Sequence, residues 1–71
     1  MEYLVVVEKG KKSFGAYVPD LPGCVAVGET RREVMKLIRE GIALHIEALV
    51  EAGEEVPAPT SKSEVVRVRA A

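Results

Sequence analysis

In 71 residues this chain has no tryptophan, asparagine or glutamine, and only one cysteine, one histidine and one aspartate. Each shortage narrows the chemistry. A single cysteine excludes an internal disulfide, and Cys24 lacks both a CxxC partner and a neighbour that would lower its pKa. It reads as a small buried apolar residue. His45 has no Cys, Asp or second His at ligand spacing on its predicted helix, so it reads as a packed core residue rather than a metal ligand. No stretch of eighteen apolar residues and no signal segment occurs, which points away from a membrane and towards a reduced cytoplasm. Avoiding thermolabile amides while using Glu, Lys and Arg resembles a thermophile's composition.

Charge of one sign is also missing. Eleven acidic residues oppose ten basic ones, for a net charge of -1, a poor footprint for binding phosphates. Direct DNA binding is therefore not expected. The basic clusters Lys9/Lys11/Lys12 and Arg67/Arg69 read as solvated faces. Enzyme motifs are absent as well. Ser13, Ser61 and Ser63 sit outside any GxSxG elbow, and no glycine-rich loop cradles a phosphate. The expectation is a non-enzymatic protein with no cofactor, no catalytic residue and no metal site.

What is present fits one small domain, residues 1–71, whose core is too modest to make a lone monomer comfortable. A second copy or another partner is the expected remedy. Tyr3-Leu4-Val5-Val6-Val7 is an unbroken apolar run suited to a central strand. A turn at Glu8–Lys12 leads into a return strand, Ser13–Val18, with Phe14, Ala16 and Val18 on one face. A third strand runs from Cys24 to Gly28. Connections this short predict an antiparallel meander.

Thr30-Arg31-Arg32-Glu33 matches a capping box. The helix it opens should run from Arg31 to about Ala52, stopped by Gly53 with Pro57 and Pro59 beyond. On a helical wheel Val34, Met35, Leu37, Ile38, Ile42, Leu44, Ile46, Ala48 and Leu49 share an arc of roughly 200°, wider than one sheet face covers. The surplus makes Gly41, Ile42, Ile46 and Leu49 candidate interface residues. Gly41 costs the helix about 1 kcal/mol relative to alanine, so its place on the apolar side implies a close backbone approach.

After a polar connector, Glu64–Arg69 alternates as a final strand, with Val66 and Val68 on one face and Arg67 and Arg69 on the other. The predicted class is α+β: a β-β-β-α-β chain folding into a four-stranded mixed sheet, order 3-2-1-4, with one long helix on one face. A right-handed crossover would bring the last strand alongside the first, leaving two short edges open to another chain.

Between the second and third strands lies the most informative segment, Pro19-Asp20-Leu21-Pro22-Gly23-Cys24, followed by Gly28 and Thr30. Two prolines stiffen the turn and Gly23 frees the backbone to leave it. This motif, the amphipathic helix ending at Gly53, and Pro57 after it together resemble the HicB antitoxin family over nearly the whole chain. The resemblance implies a truncated ribonuclease H-like fold without nuclease activity. It also implies binding to a small mRNA-cleaving toxin of the HicA type, whose active surface it would occlude, and assembly into a homodimer or higher homo-oligomer. Many members continue into a C-terminal DNA-binding domain, whereas this sequence stops after the predicted last strand. The motif residues Pro19, Asp20, Leu21, Pro22, Gly23, Cys24, Gly28 and Thr30 read as mainly structural, with the proline rim a possible partner contact.

Two rivals are open to test. One is a stand-alone oligomeric scaffold or small-ligand domain. The other is a residual metal-dependent nuclease using Glu2 or Glu8 with Glu29 or Glu33. The only aspartate lies in the turn, which counts against the nuclease.

Overall fold

A computed structural model describes residues 1–70. Three strands, β1 (Val6–Lys9), β2 (Phe14–Tyr17) and β3 (Val25–Gly28), precede one helix, α1 (Arg31–Glu51). The strands pair antiparallel in the order β1-β2-β3. The α+β class and the antiparallel meander are as the sequence implied.

The fourth strand is not. Among the described residues the sheet has three strands, so the expected order 3-2-1-4 is not formed and β2, not the first strand, lies in the middle. Residues 62–70 are exposed, with Val65, Val66 and Val68 at 101%, 74% and 80% of full exposure. Period-two alternation records a segment's capacity to be a strand, but it names no pairing partner. Here the connector is held at Thr60 and Ser61 and the chain beyond them leaves the body. The radius of gyration is 14.3 Å, against about 11 Å for a compact chain of this length.

The helix forms where its signals lie. Thr30 is extended at the N-cap and its Oγ1 accepts the Glu33 N–H at 3.0 Å. The return bond differs from a standard capping box: Glu33 Oε1 accepts from the Glu29 N–H, at 3.4 Å, one residue earlier than expected. At the other end the N–H groups of Glu54 and Gly53 donate to the carbonyls of Leu49 and Val50. With Gly53 at φ +71°, this is a Schellman stop that only glycine adopts without strain.

The helix packs on β3 and β2, with β1 outside its main contact. Val34 and Ile38 are fully buried there, together with Ala16, Val18, Leu21 and Cys24. Small residues face the helix. Ala16, Ala26 and Gly28 lie beneath α1, and a Cβ on Gly28 would stand 2.9 Å from the Val34 backbone nitrogen. The proximity of strand and helix, rather than hydrophobicity, selects residue size on this face.

Candidate partner-binding surface

The Pro19–Cys24 segment is two consecutive tight turns. Leu21 N–H donates to the Val18 carbonyl and Cys24 N–H to the Leu21 carbonyl, each at 3.0 Å, and Val18 N–H donates to the Cys24 carbonyl at 3.2 Å. Gly23 takes φ +87°, which permits the second reversal. Leu21 is wholly buried and acts as a plug, and Cys24 is buried beside it, while Pro19, Pro22 and Gly23 face solvent. Burial pushes the Cys24 thiol pKa up, the opposite of what a nucleophile needs.

Asp20 does something the sequence reading did not assign. Its Oδ2 accepts the backbone N–H groups of Thr60 and Ser61 at 3.0 and 2.9 Å. Its Oδ1 accepts their hydroxyls at 3.2 and 2.8 Å. Four donors converging on one carboxylate favour its charged form, and the Ser61 N–H leads in lowering the Asp20 pKa. Tyr3 adds a second fastener, its hydroxyl donating to the Pro57 carbonyl. The available signal was compositional: the one aspartate in a chain that otherwise uses ten glutamates, with an adjacent Thr-Ser pair to serve it.

The strand register separates two sheet faces. Val7, Ala16 and Ala26 align on the helix side. On the other side Val6, Tyr17 and Val25 form one row, and Glu8, Gly15 and Val27 the next. No element of this chain covers that outer face among the described residues, and Tyr17, Val25 and Val27 are 40%, 68% and 67% exposed. An apolar patch with a tyrosine at its centre and a charged margin is the composition of a protein interface. Sequence alone does not reveal this patch, because alternation in Val25–Gly28 leaves the facing of the third strand open.

The expected helix candidates lie elsewhere. Gly41, Ile42, Ile46 and Leu49 are half-buried, and Ile42 and Ile46 pack against the core. The close approach anticipated at Gly41 is to the Cys24 sulfur, which would lie 3.9 Å from a Cβ there. The arc is only partly covered, since Leu37, Leu44 and Val50 remain 38%, 65% and 62% exposed. His45 is half-buried. No group of three or more His, Cys, Asp or Glu side chains converges to hold a metal among the described residues. Nor is any described helix long and apolar enough to cross a membrane.

Comparison with known proteins places this geometry. The family model described as "HicB_like antitoxin of bacterial toxin-antitoxin system" matches residues 3–69. The chain is similar to the crystal structure of the N-terminal domain of the Burkholderia pseudomallei antitoxin HicB, with TM-score 0.78 and 40% identity, covering 87% of this chain and 74% of that one. A chain of a solved HicA3 and HicB3 toxin-antitoxin complex superposes with TM-score 0.72 and 35% identity, covering 84% and 70%. An uncharacterized 14.9 kDa protein of Haemophilus phage HP1 is 40% identical over 57 residues. That match takes in 80% of this chain but 43% of the phage protein, less than half its length. A UPF0150 protein of Thermoplasma acidophilum is 36% identical over 58 residues, covering 80% and 84%.

Proposed function

Because the chain belongs to the HicB-like antitoxin family, we propose that it neutralises a HicA-type mRNA-cleaving toxin by covering that toxin's active surface. The observation that carries this reading is the family match across nearly the whole chain, joined to the likeness to a chain of a solved toxin-antitoxin complex. The outer sheet face around Tyr17, Val25 and Val27 is the contact surface in this reading: it is apolar, exposed and opposite the helix. The protein acts without a cofactor, by occlusion rather than by catalysis, in the cytoplasm where the toxin meets mRNA. It works as a dimer or larger homo-oligomer.

Co-expression with a HicA-type toxin tests the reading. The natural chain should restore growth and co-purify with the toxin. A Val25→Asp/Val27→Asp chain, altered only at exposed positions, should lose both while keeping its helical circular dichroism. Failure of the natural chain to rescue or to bind would overturn the antitoxin reading. Rescue by the double variant would overturn the assignment of the face.

A further inference from the structure

We propose that the C-terminal segment 64–69 is an exchange strand, which adds to the free edge of β1 in a second copy of this chain. The inference rests on the self-assembly part of the preceding reading and is independent of the toxin.

Segment and edge need each other. The segment Glu64-Val65-Val66-Arg67-Val68-Arg69 has the alternation of a half-buried strand, yet its valines are almost bare. An isolated extended segment with a valine stripe gains nothing by staying in water. On the other side, β1 pairs only with β2, so its outward backbone donors and acceptors have no strand partner. Natural edges are guarded by charge, proline or a covering element. β1 is charged only at its far end, Glu8 and Lys9; the Val5-Val6-Val7 stretch before them carries none of these and is only half-buried.

Face and charge agree between the two. Val5 and Val7 lie on the helix side of the sheet, and Val6 and Glu8 on the outer side. A strand added with Val66 and Val68 towards the helix side extends the apolar layer where α1 leaves β1 outside its main contact. The same orientation turns Arg67 and Arg69 to the outer side, which carries Glu8. The opposite facing would expose the valines and bring two arginines under a helix.

The course of the segment favours a second copy: it runs exposed instead of along its own β1. The segment is rooted by the Asp20 bonds to Thr60 and Ser61, and just before them Pro57 is held by Tyr3, ahead of β1. An open cleft of about 570 Å³ lies between Glu2, Tyr3 and Leu4, ahead of β1, and residues 59–63, and β1 itself has no second strand beside it among the described residues. From Ser61 to Arg69 an extended chain reaches about 26 Å. Each copy carries both a protruding strand and an open edge, so one two-fold contact satisfies two strands and two edges at once. A ribbon of two such segments alone would be marginal, because it has no layer to pack on.

Light scattering on the full chain should give a multiple of the 7.7 kDa chain mass, with at least a dimer. A Val66→Asp/Val68→Asp chain should dissociate about 100-fold more readily or run as a monomer. Both positions are exposed in the single chain, so helical circular dichroism should not change. For geometry, a nitroxide on Arg69→Cys is mixed with isotope-labelled natural chain; buried Cys24 escapes the reagent. Amide broadening at Val5–Lys9 of the labelled copy is the expected result. A monomeric natural chain, an unchanged mass for the double variant, or broadening centred on residues 64–69 would each overturn exchange. None of those results touches toxin rescue, which the co-expression experiment reads separately.

Discussion

Gly28→Ala should be the most damaging single-methyl substitution in this protein. The added Cβ would stand 2.9 Å from the Val34 nitrogen, 3.2 Å from the Val34 Cα and 3.3 Å from the Glu33 Cβ. Two of these are backbone atoms of the first helical turn, so no side-chain rotation relieves the overlap. The helix must lift by about half an ångström, and it carries Val34 and Ile38, both wholly buried. Overpacking of this kind costs about 1–3 kcal/mol. Whole-domain stability at this length is about 4–10 kcal/mol, so the loss is a large share of the total. Each kcal/mol lowers the midpoint by about 4–8 °C in a domain of this size, and a drop of about 8–16 °C is expected at 2 kcal/mol. Urea and thermal unfolding followed by helical circular dichroism measure it. Gly15→Ala serves as the internal control, because a Cβ there meets only the Ala26 carbonyl at 4.0 Å. If Gly28→Ala and Gly15→Ala unfold within about 0.5 kcal/mol of each other, the close-approach argument is wrong.

Gly41→Ala should be neutral or stabilising by up to about 1 kcal/mol, since its Cβ makes an ordinary 3.9 Å contact with the Cys24 sulfur. Gly41→Leu should instead force helix and turn apart; an unchanged melting temperature and oligomer mass would refute this. Thr30→Ala removes the cap accepting the Glu33 N–H and should cost about 1 kcal/mol, read as a shift in urea midpoint at constant slope. Acidification tests Asp20. Its folded pKa is lowered by the Thr60 and Ser61 donors, so the stabilisation is complete above the unfolded value near ~3.9 and fades as pH falls below it. Protection factors of the Thr60 and Ser61 amides, corrected for the intrinsic exchange rate at each pH, should therefore fall below that pH, and Asp20→Asn should remove most of that pH dependence. Protection factors insensitive to both would exclude the carboxylate as the fastener.

Local signals in the sequence were read correctly wherever the governing interaction was also local. Thr30 and Gly53 mark the helix ends because cap and Schellman bonds span only a few residues. The meander follows from connections too short for any other arrangement. Distant matters were read less well. The segment 64–69 has a strand's pattern, but pairing depends on where Asp20 holds its root, forty residues away in sequence. The outer valines were hidden by the same rule that located the core. Hydrophobic alternation in Val25-Ala26-Val27-Gly28 gives two possible facings, and residue size decides between them only once the helix is known to lie so close.

The fasteners at Asp20 and Tyr3 join residues 40 to 54 positions apart, whereas the sheet and helix are built from neighbours along the chain. Loop closure over such spans is slow to be rewarded. The meander and helix can therefore form before residues 57–61 dock, and the connector bonds close last. A chain cut after Pro59 would still carry a helix lying on a sheet, but its closing segment would lose the four Asp20 bonds and keep only the one from Tyr3 to Pro57.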